Sequence, residues 1–184
     1  MRKWRSFSYG LTFPLKPVLD AITHKLKKDQ SDYLENECAN MSKLRTFLLF
    51  KHFGSTASHL TKPLTFLLRK AISKVRLGSL ELRIESGRYH RPLLKIHERS
   101  CLSCYRNSNF SPVETEYHFL FGCPMYDDLR SEWFPKMTLP ENFQNLADHR
   151  KLDLVLNKAE NVKYCAQFIL NALKVRQNHL YLRH

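Results

Sequence analysis

Three of the five cysteines in this chain fall in one short window, CLSCYRNSNFSPVETEYHFLFGC, and a histidine sits among them. The spacing is Cys101-x2-Cys104, thirteen residues, then His118-x4-Cys123. Thiolate and neutral imidazole are the ligands that zinc takes in closed, four-coordinate sites. Cys101, Cys104, His118 and Cys123 are therefore the candidate ligands of one structural Zn²⁺. The same residues have two competing uses: cysteines buried without metal, or a Cys-His catalytic pair, for which no oxyanion hole or third orienting group is visible. His97 is the foremost substitute ligand, ahead of His90 and Cys38. A catalytic zinc would keep a position open for water, whereas four good ligands are on offer; Glu114 and Glu116 are nearby but form no recognisable water-activating motif.

The ligands make demands on the backbone. Cys101 and Cys104 can converge from one tight turn. His118 and Cys123 are about 140° apart on a regular helix, so they cannot both reach one ion from regular helical positions. The spacing predicts that His118 sits late in a short helix, ETEYHFLF, that the chain turns at Gly122, and that Cys123 lies beyond. Cys123 would then precede a helix opening at Pro124 and closing at Pro135, whose positive end favours the thiolate. Three thiolates and one imidazole around Zn²⁺ leave a charge of about −1, which Arg99 and Arg106 can offset. In the insert between the ligand pairs, Tyr105 and Phe110 shield the metal in preference to stacking on bases.

Other elements follow from apolar periodicity. Pro17 opens a helix through PVLDAITHKLKK, with Val18, Ala21, Ile22 and Leu26 at helical spacing, and KLKKDQSD reads as exposed. A second helix runs from Ser42 as N-cap through KLRTFLLFKHF to Gly54. In TKPLTFLLRKAISKVRLGS, Pro63 takes a first-turn position, Leu64, Leu67, Leu68, Ala71 and Val75 form the core stripe, and Gly78 is the stop. A short helix in SLELRIESGRY turns Leu80 and Ile84 inward and ends at Gly87. Met125, Leu129 and Trp133 stack as core, and Asp127 and Asp128 suit the helix N-terminus better than acid–base work. TLPENFQNLADHRK reads as a loop or short turns. A long final helix, KAENVKYCAQFILNALKVRQNHLYL, places Cys165 among buried apolar residues as a small hydrophobe.

Charge supplies the partner class. The chain of 184 residues carries a formal net charge of +13, and the imbalance is one-sided: residues 1–100 hold 20 Lys/Arg against 8 Asp/Glu, residues 101–184 hold 10 against 9. Such a field favours a polyanion, because binding releases condensed counterions. Between Thr61 and Ser100 there are ten Lys/Arg against three acids, and Arg69, Lys70, Lys74, Arg76, Arg83, Arg88 and Arg91 are the candidate phosphate contacts; a solvated helix face is the bland alternative. No apolar run approaches the length of a membrane span, no apolar stretch of secretory length follows the opening residues before Lys16 and Asp20, and the odd cysteine count does not suggest a disulfide framework. The expectation is a soluble, intracellular protein of nucleus or cytoplasm, with no membrane or small-molecule substrate.

KLRTFLLFKHF (Lys43–Phe53), LRIESGRYHR (Leu82–Arg91), the four ligands, and EYHFLFGCPMYDDLR (Glu116–Arg130) together resemble the segment after the polymerase domain of animal non-long-terminal-repeat retrotransposon reverse transcriptases. The resemblance covers roughly Lys43–Phe134 and leaves residues 1–40 unmatched. It implies a Cys-Cys-His-Cys zinc segment on Cys101, Cys104, His118 and Cys123, and a preceding basic stretch that contacts the element's RNA or target DNA. The gap between ligand pairs is longer than in compact versions of the motif. No paired aspartates in a YxDD strand context and no endonuclease motif are present, so no polymerase or nuclease activity is expected. The expected architecture is mainly α, with an embedded CCHC module and an irregular loop or short β-ribbon at the metal: residues 1–40 an N-terminal segment, 41–98 a basic helical region, 99–135 the zinc module, 136–184 a C-terminal helical region. The expected function is non-catalytic binding of RNA or DNA, with docking on a polymerase or other polypeptide as the alternative.

Overall fold

The computed structural model describes residues 15–41, 44–49, 56–107 and 111–181. Ser42, Gly54 and Phe110 lie outside them, as does the Arg106 side chain. The described residues are mainly helical and contain no strand; a single antiparallel bridge joins Ser100 to Val113.

Helix α1, Leu15–Ala39, continues well past the Lys28 at which the sequence pattern faded. Its polar second half is exposed as expected, but so are Leu15, Val18, Leu19, Ile22 and Leu26; Cys38 is its one buried residue. Two short helices follow, α2 (Arg45–Leu49) and α3 (Ser58–Thr61).

Helix α4, Phe66–Arg76, begins after Pro63 rather than around it. Thr65 determines the start: its hydroxyl accepts from the Leu68 N–H at 3.4 Å, satisfying a donor that the first turn would leave orphaned. The inward face is Leu68, Ala71, Ile72 and Val75, with Leu64 buried just ahead of the helix. Leu67, expected in the stripe, is exposed, and Ile72 takes its place. Gly78 ends the helix with φ 62°, while its own N–H donates to Val75 and that of Ser79 to Lys74. This paired C-terminal hydrogen bonding needs a left-handed residue, hence glycine.

Leu80, Leu82 and Ile84 then enter the core around α5, Arg83–Ser86. At Gly87 a Cβ would stand 2.6 Å from Arg99 Cγ and 2.8 Å from the Arg83 carbonyl oxygen. Only glycine lets Arg99 pass beneath. The buried Arg99 donates to the Ile84 carbonyl at 2.8 Å and to the Leu94 carbonyl at 2.9 and 3.1 Å, stitching the following loop to α5.

The cysteine window holds α6 (Leu102–Asn107), and beyond it come α7 (Asp127–Trp133), α8 (Asp148–Leu156) and α9 (Val162–Tyr181). Helix α9 is the axis of the core, and α4, α7 and α8 all pack on it. Its Val162, Cys165, Ala166, Phe168, Ile169 and Ala172 are buried; Phe168 meets Phe119 at 6.4 Å and Phe134 at 5.4 Å between ring centroids. Truncating so central a ring costs about 3–5 kcal/mol. Helix α8 occupies part of the stretch read as loop. Its first turn is polar, and the repeat Leu152, Val155, Leu156 that drives it inward begins only at mid-helix. The wholly buried Asn161 secures the α8–α9 turn: its Nδ2 donates to the Thr138 and Leu154 carbonyls at 3.2 and 2.9 Å, and its Oδ1 accepts from Thr138 N at 2.7 Å.

No described helix is long and apolar enough to cross a membrane.

Candidate metal centre

Three local structures deliver the ligands. Cys101 precedes α6 and Cys104 lies in its first turn, so the CxxC segment is the start of a helix rather than a free-standing turn. Cys101 N–H donates to the Pro112 carbonyl at 2.8 Å and Glu114 N–H to the Arg99 carbonyl at 2.9 Å, pairing the two sides of the insert across the Ser100–Val113 bridge. That one bridge is the extent of the expected β-ribbon among the described residues.

His118 opens a π-helical turn, His118–Gly122, rather than sitting late in an α-helix. The Cys123 N–H donates to the His118 carbonyl at 2.8 Å. A five-residue hydrogen-bonded step stacks its two ends, which removes the 140° conflict that a regular helix imposes. Gly122 lies inside the widened turn, and a Cβ there would be 3.3 Å from His118 Nδ1. Cys123 is extended (φ −79°, ψ 119°) and leads into a 3₁₀ turn, Pro124–Tyr126, and then α7.

The four ligand atoms converge within 4.8 Å of one another, and all four residues are buried. Cys101 Sγ is 3.9 Å from Cys123 Sγ, Cys104 Sγ is 4.0 Å from Cys123 Sγ, and Cys104 Sγ is 3.4 Å from His118 Nε2. A tetrahedron built on Zn–S and Zn–N bonds of about 2.3 and 2.0 Å has S···S edges of about 3.8 Å and S···N edges of about 3.5 Å. The donor set and its spacing therefore fit a four-coordinate metal ion, and all four positions are filled from the protein.

Protonation is shared unevenly in this cluster. The Cys101 thiol is held below its ordinary value, chiefly by the hydrogen bond from Cys123, while Cys123 is pushed up by that same bond and by burial. Burial, followed by the Cys101 charge, also pushes Cys104 up. A metal ion must displace the protons that remain, so its affinity rises with pH.

The surroundings are hydrogen-bonded to the backbone of the ligand segments. Arg130 of α7 donates to the carbonyls of Cys123 and Leu120 and pairs with Asp127 at 2.6 Å. Ser103 Oγ donates to Met125 Sδ at 3.0 Å, linking α6 to the Pro124 turn. Arg99, expected to balance the cluster's charge, directs its donors to carbonyls. Tyr105 is 69% exposed and so does not provide the expected shield; the apolar cover includes Phe119, Leu120 and Tyr126 in the adjoining core. Glu114 and Glu116 are both buried in ion pairs. Arg176 grips Glu114 with Nε at 2.9 Å and Nη2 at 3.0 Å, and Arg45 bridges Glu116 and Glu85. Both carboxylates are thus engaged by arginines. His90 and His97 are exposed, Cys38 lies on α1, and none of the three joins the cluster. Cys165 is a buried free thiol, pushed up to about 12 by that burial.

The seven cations expected to contact phosphate take different positions. Arg76 is buried and donates to the Leu156 carbonyl at 3.1 Å and to Asn157 Oδ1, so it ties α4 to α8. Arg88 pairs with Glu85 at 3.1 Å, and Arg69 donates to the Leu64 carbonyl at 3.3 Å. Arg83 is half-buried beside Glu114, which accepts from its backbone N–H at 2.7 Å. Lys70 and Arg91 are exposed and Lys74 half-exposed. A signal for Arg76 existed in the sequence, since it lies one position from Val75 and four from Ile72 on the inward face.

The chain matches no protein-family model, no curated protein and no solved structure.

Proposed function

We propose that this chain is a non-catalytic helical domain that binds RNA or DNA through phosphates, its site-bearing half held in shape by one structural zinc ion on Cys101, Cys104, His118 and Cys123. The metal assignment is supported by the closed set of four buried donors, because a catalytic zinc needs a position for water. The observation that carries the nucleic-acid reading is the charge distribution: residues 1–100 bear a net charge of +12, from 20 Lys/Arg and 8 Asp/Glu, and among the described residues Arg45, Arg76, Arg88 and Arg99 are engaged within the fold. Lys70, Lys74 and Arg91 are the outward members of the expected set; Arg69, Arg83 and Arg88 lie closer to the fold, and Arg76 belongs to the core. The resemblance to the post-polymerase segment of retrotransposon reverse transcriptases agrees with this reading, and with a place in the nucleus or cytoplasm beside a polymerase domain.

Filter binding of single-stranded and duplex nucleic acid at two salt concentrations, with zinc measured on the same sample, tests it. Binding that weakens steeply with salt and varies little with sequence supports the proposal; its absence in zinc-loaded protein favours the rival reading, a zinc-clamped surface that docks a polypeptide.

A further inference from the structure

Beside the metal centre lies a cavity of about 540 Å³, walled by Tyr117, Phe121, Phe134 and Phe143 and bordered by Arg130 and Lys151. Its volume falls within the range of small-ligand sites, which are aromatic-lined with a few convergent polar groups. The walls are rings in mutual contact: Phe121 stands 5.0 Å from Tyr117, 6.1 Å from Phe134 and 5.9 Å from Phe143 between centroids.

The side chain that marks the cavity is Lys151 of α8. It is only 9% exposed, yet no carboxylate pairs with it among the described residues. Its ammonium has one hydrogen-bond partner, the Tyr117 hydroxyl at 3.3 Å, and the Tyr117 ring lies 5.9 Å away. An ammonium carries three donors, and burying its charge without an anion is costly. The neighbouring cation, Arg130, is already matched by Asp127 and by two carbonyls. Lys151, Arg130 and Asp127 together leave one uncompensated positive charge at the cavity, next to aromatic surface.

A single negative charge joined to a flat ring is what this arrangement lacks. We propose that the cavity binds one nucleotide, its phosphate on Lys151 and its base against the aromatic wall. The inference rests on the nucleic-acid reading for the choice of a nucleotide over other aromatic anions. One net positive charge suits the monoanionic phosphodiester of a strand better than a terminal phosphate dianion. Aromatic rings take unpaired bases by stacking, so the site selects single strands over duplex.

The test uses the full zinc-loaded chain, a six-nucleotide single strand, the free nucleoside 5′-monophosphate and a benzoate-bearing compound, with heteronuclear NMR and competition titration. Lys151→Gln removes the charge, and Gln144→Trp fills the mouth from an exposed position while leaving Lys151 in place. Zinc content and melting temperature confirm that each variant is folded. The hexanucleotide is expected to shift the resonances of Phe121, Phe143 and the Lys151 side chain, and each variant to weaken it at least tenfold. Tight binding of the free monophosphate at the same resonances supports the site with a free nucleotide as its source. Undisturbed aromatic resonances, unchanged affinity in folded Lys151→Gln, or binding of the benzoate compound in preference to either nucleotide overturns the proposal. If long strands still bind with a steep salt dependence, the cavity alone is wrong; if nucleotides fill the cavity but long strands do not bind, the broader reading fails instead.

Discussion

The Cys123 backbone N–H donates to the His118 carbonyl across five residues, at 2.8 Å. That widened turn lets two ligands that a regular helix would separate face one ion. It also puts Gly122 against the ring of His118. Gly122→Val is expected to lower zinc affinity by roughly tenfold, because a ring that must bind an ion through Nε2 cannot yield to a side chain 3.3 Å from Nδ1. Competition with a chromophoric chelator measures this, and unchanged affinity would mean that the ring has room to move.

The two kinds of buried cysteine separate cleanly. Cys104→Ser is expected to lose zinc and to lower the melting temperature sharply, since metal binding and folding are coupled in small closed sites. Cys165→Ala, on the inward face of α9, keeps zinc and costs about 1 kcal/mol for the small void it leaves. Metal analysis and thermal melting of both variants are the check, and zinc loss from Cys165→Ala would contradict the assignment.

The ligands stand out in the sequence because cysteine is scarce and three fall in one window. Gly78 is equally plain, as a glycine directly after an amphipathic run. Other features depend on packing that no local pattern records. Leu67 and Ile72 exchange roles because the face that α4 turns to α9 is centred on Leu68, Ala71, Ile72 and Val75, which leaves Leu67 to one side. Helix α8 is hidden by its polar opening and by a lysine at a core position. Arg76 reads as a phosphate contact and Arg99 as a counter-charge to the metal cluster, yet each extends inward to carbonyls contributed by segments distant in the chain or beyond a turn.

This division among the cations makes a direct prediction. Replacing Lys70, Lys74 and Arg91 together with glutamine should leave melting unchanged, weaken nucleic-acid binding across sequences, and reduce the salt slope by up to about 0.7–0.9 for each phosphate that is no longer neutralised. Arg76→Met should instead destabilise the fold by about 1–3 kcal/mol, through the acceptors it leaves unmet. Binding isotherms at several salt concentrations, paired with denaturation curves, distinguish the two; a surface triple variant with an undiminished salt slope would count against the proposed phosphate-binding residues.

His59 introduces a pH dependence away from the metal. Its Nε2 lies 3.0 Å from Ser73 Oγ, and burial, then Arg76 and Arg69, hold it down from 6.5 to about 4. Asp153 also faces Arg76 from α8. Well above pH 6.5 the ring is neutral in both folded and unfolded chains. As pH falls from 6.5 toward 4, the unfolded chain takes up a proton that the folded one resists, so stability declines, by on the order of 1–2 kcal/mol after allowance for solvent screening. His59→Asn should flatten that part of the stability–pH curve relative to the parent chain. Denaturant unfolding at half-unit intervals measures it, and parallel curves would show that the imidazole does not titrate as described.

The fold of the cysteine segment and its proposed role both depend on one zinc ion held by three thiolates and one imidazole. X-ray absorption at the zinc edge of protein purified without added chelator tests it most directly. The expected spectrum shows one zinc per chain, with three sulfur scatterers at about 2.3 Å and one nitrogen at about 2.0 Å. A metal-free folded chain, or a zinc ion carrying a water oxygen in place of one of these ligands, would contradict it.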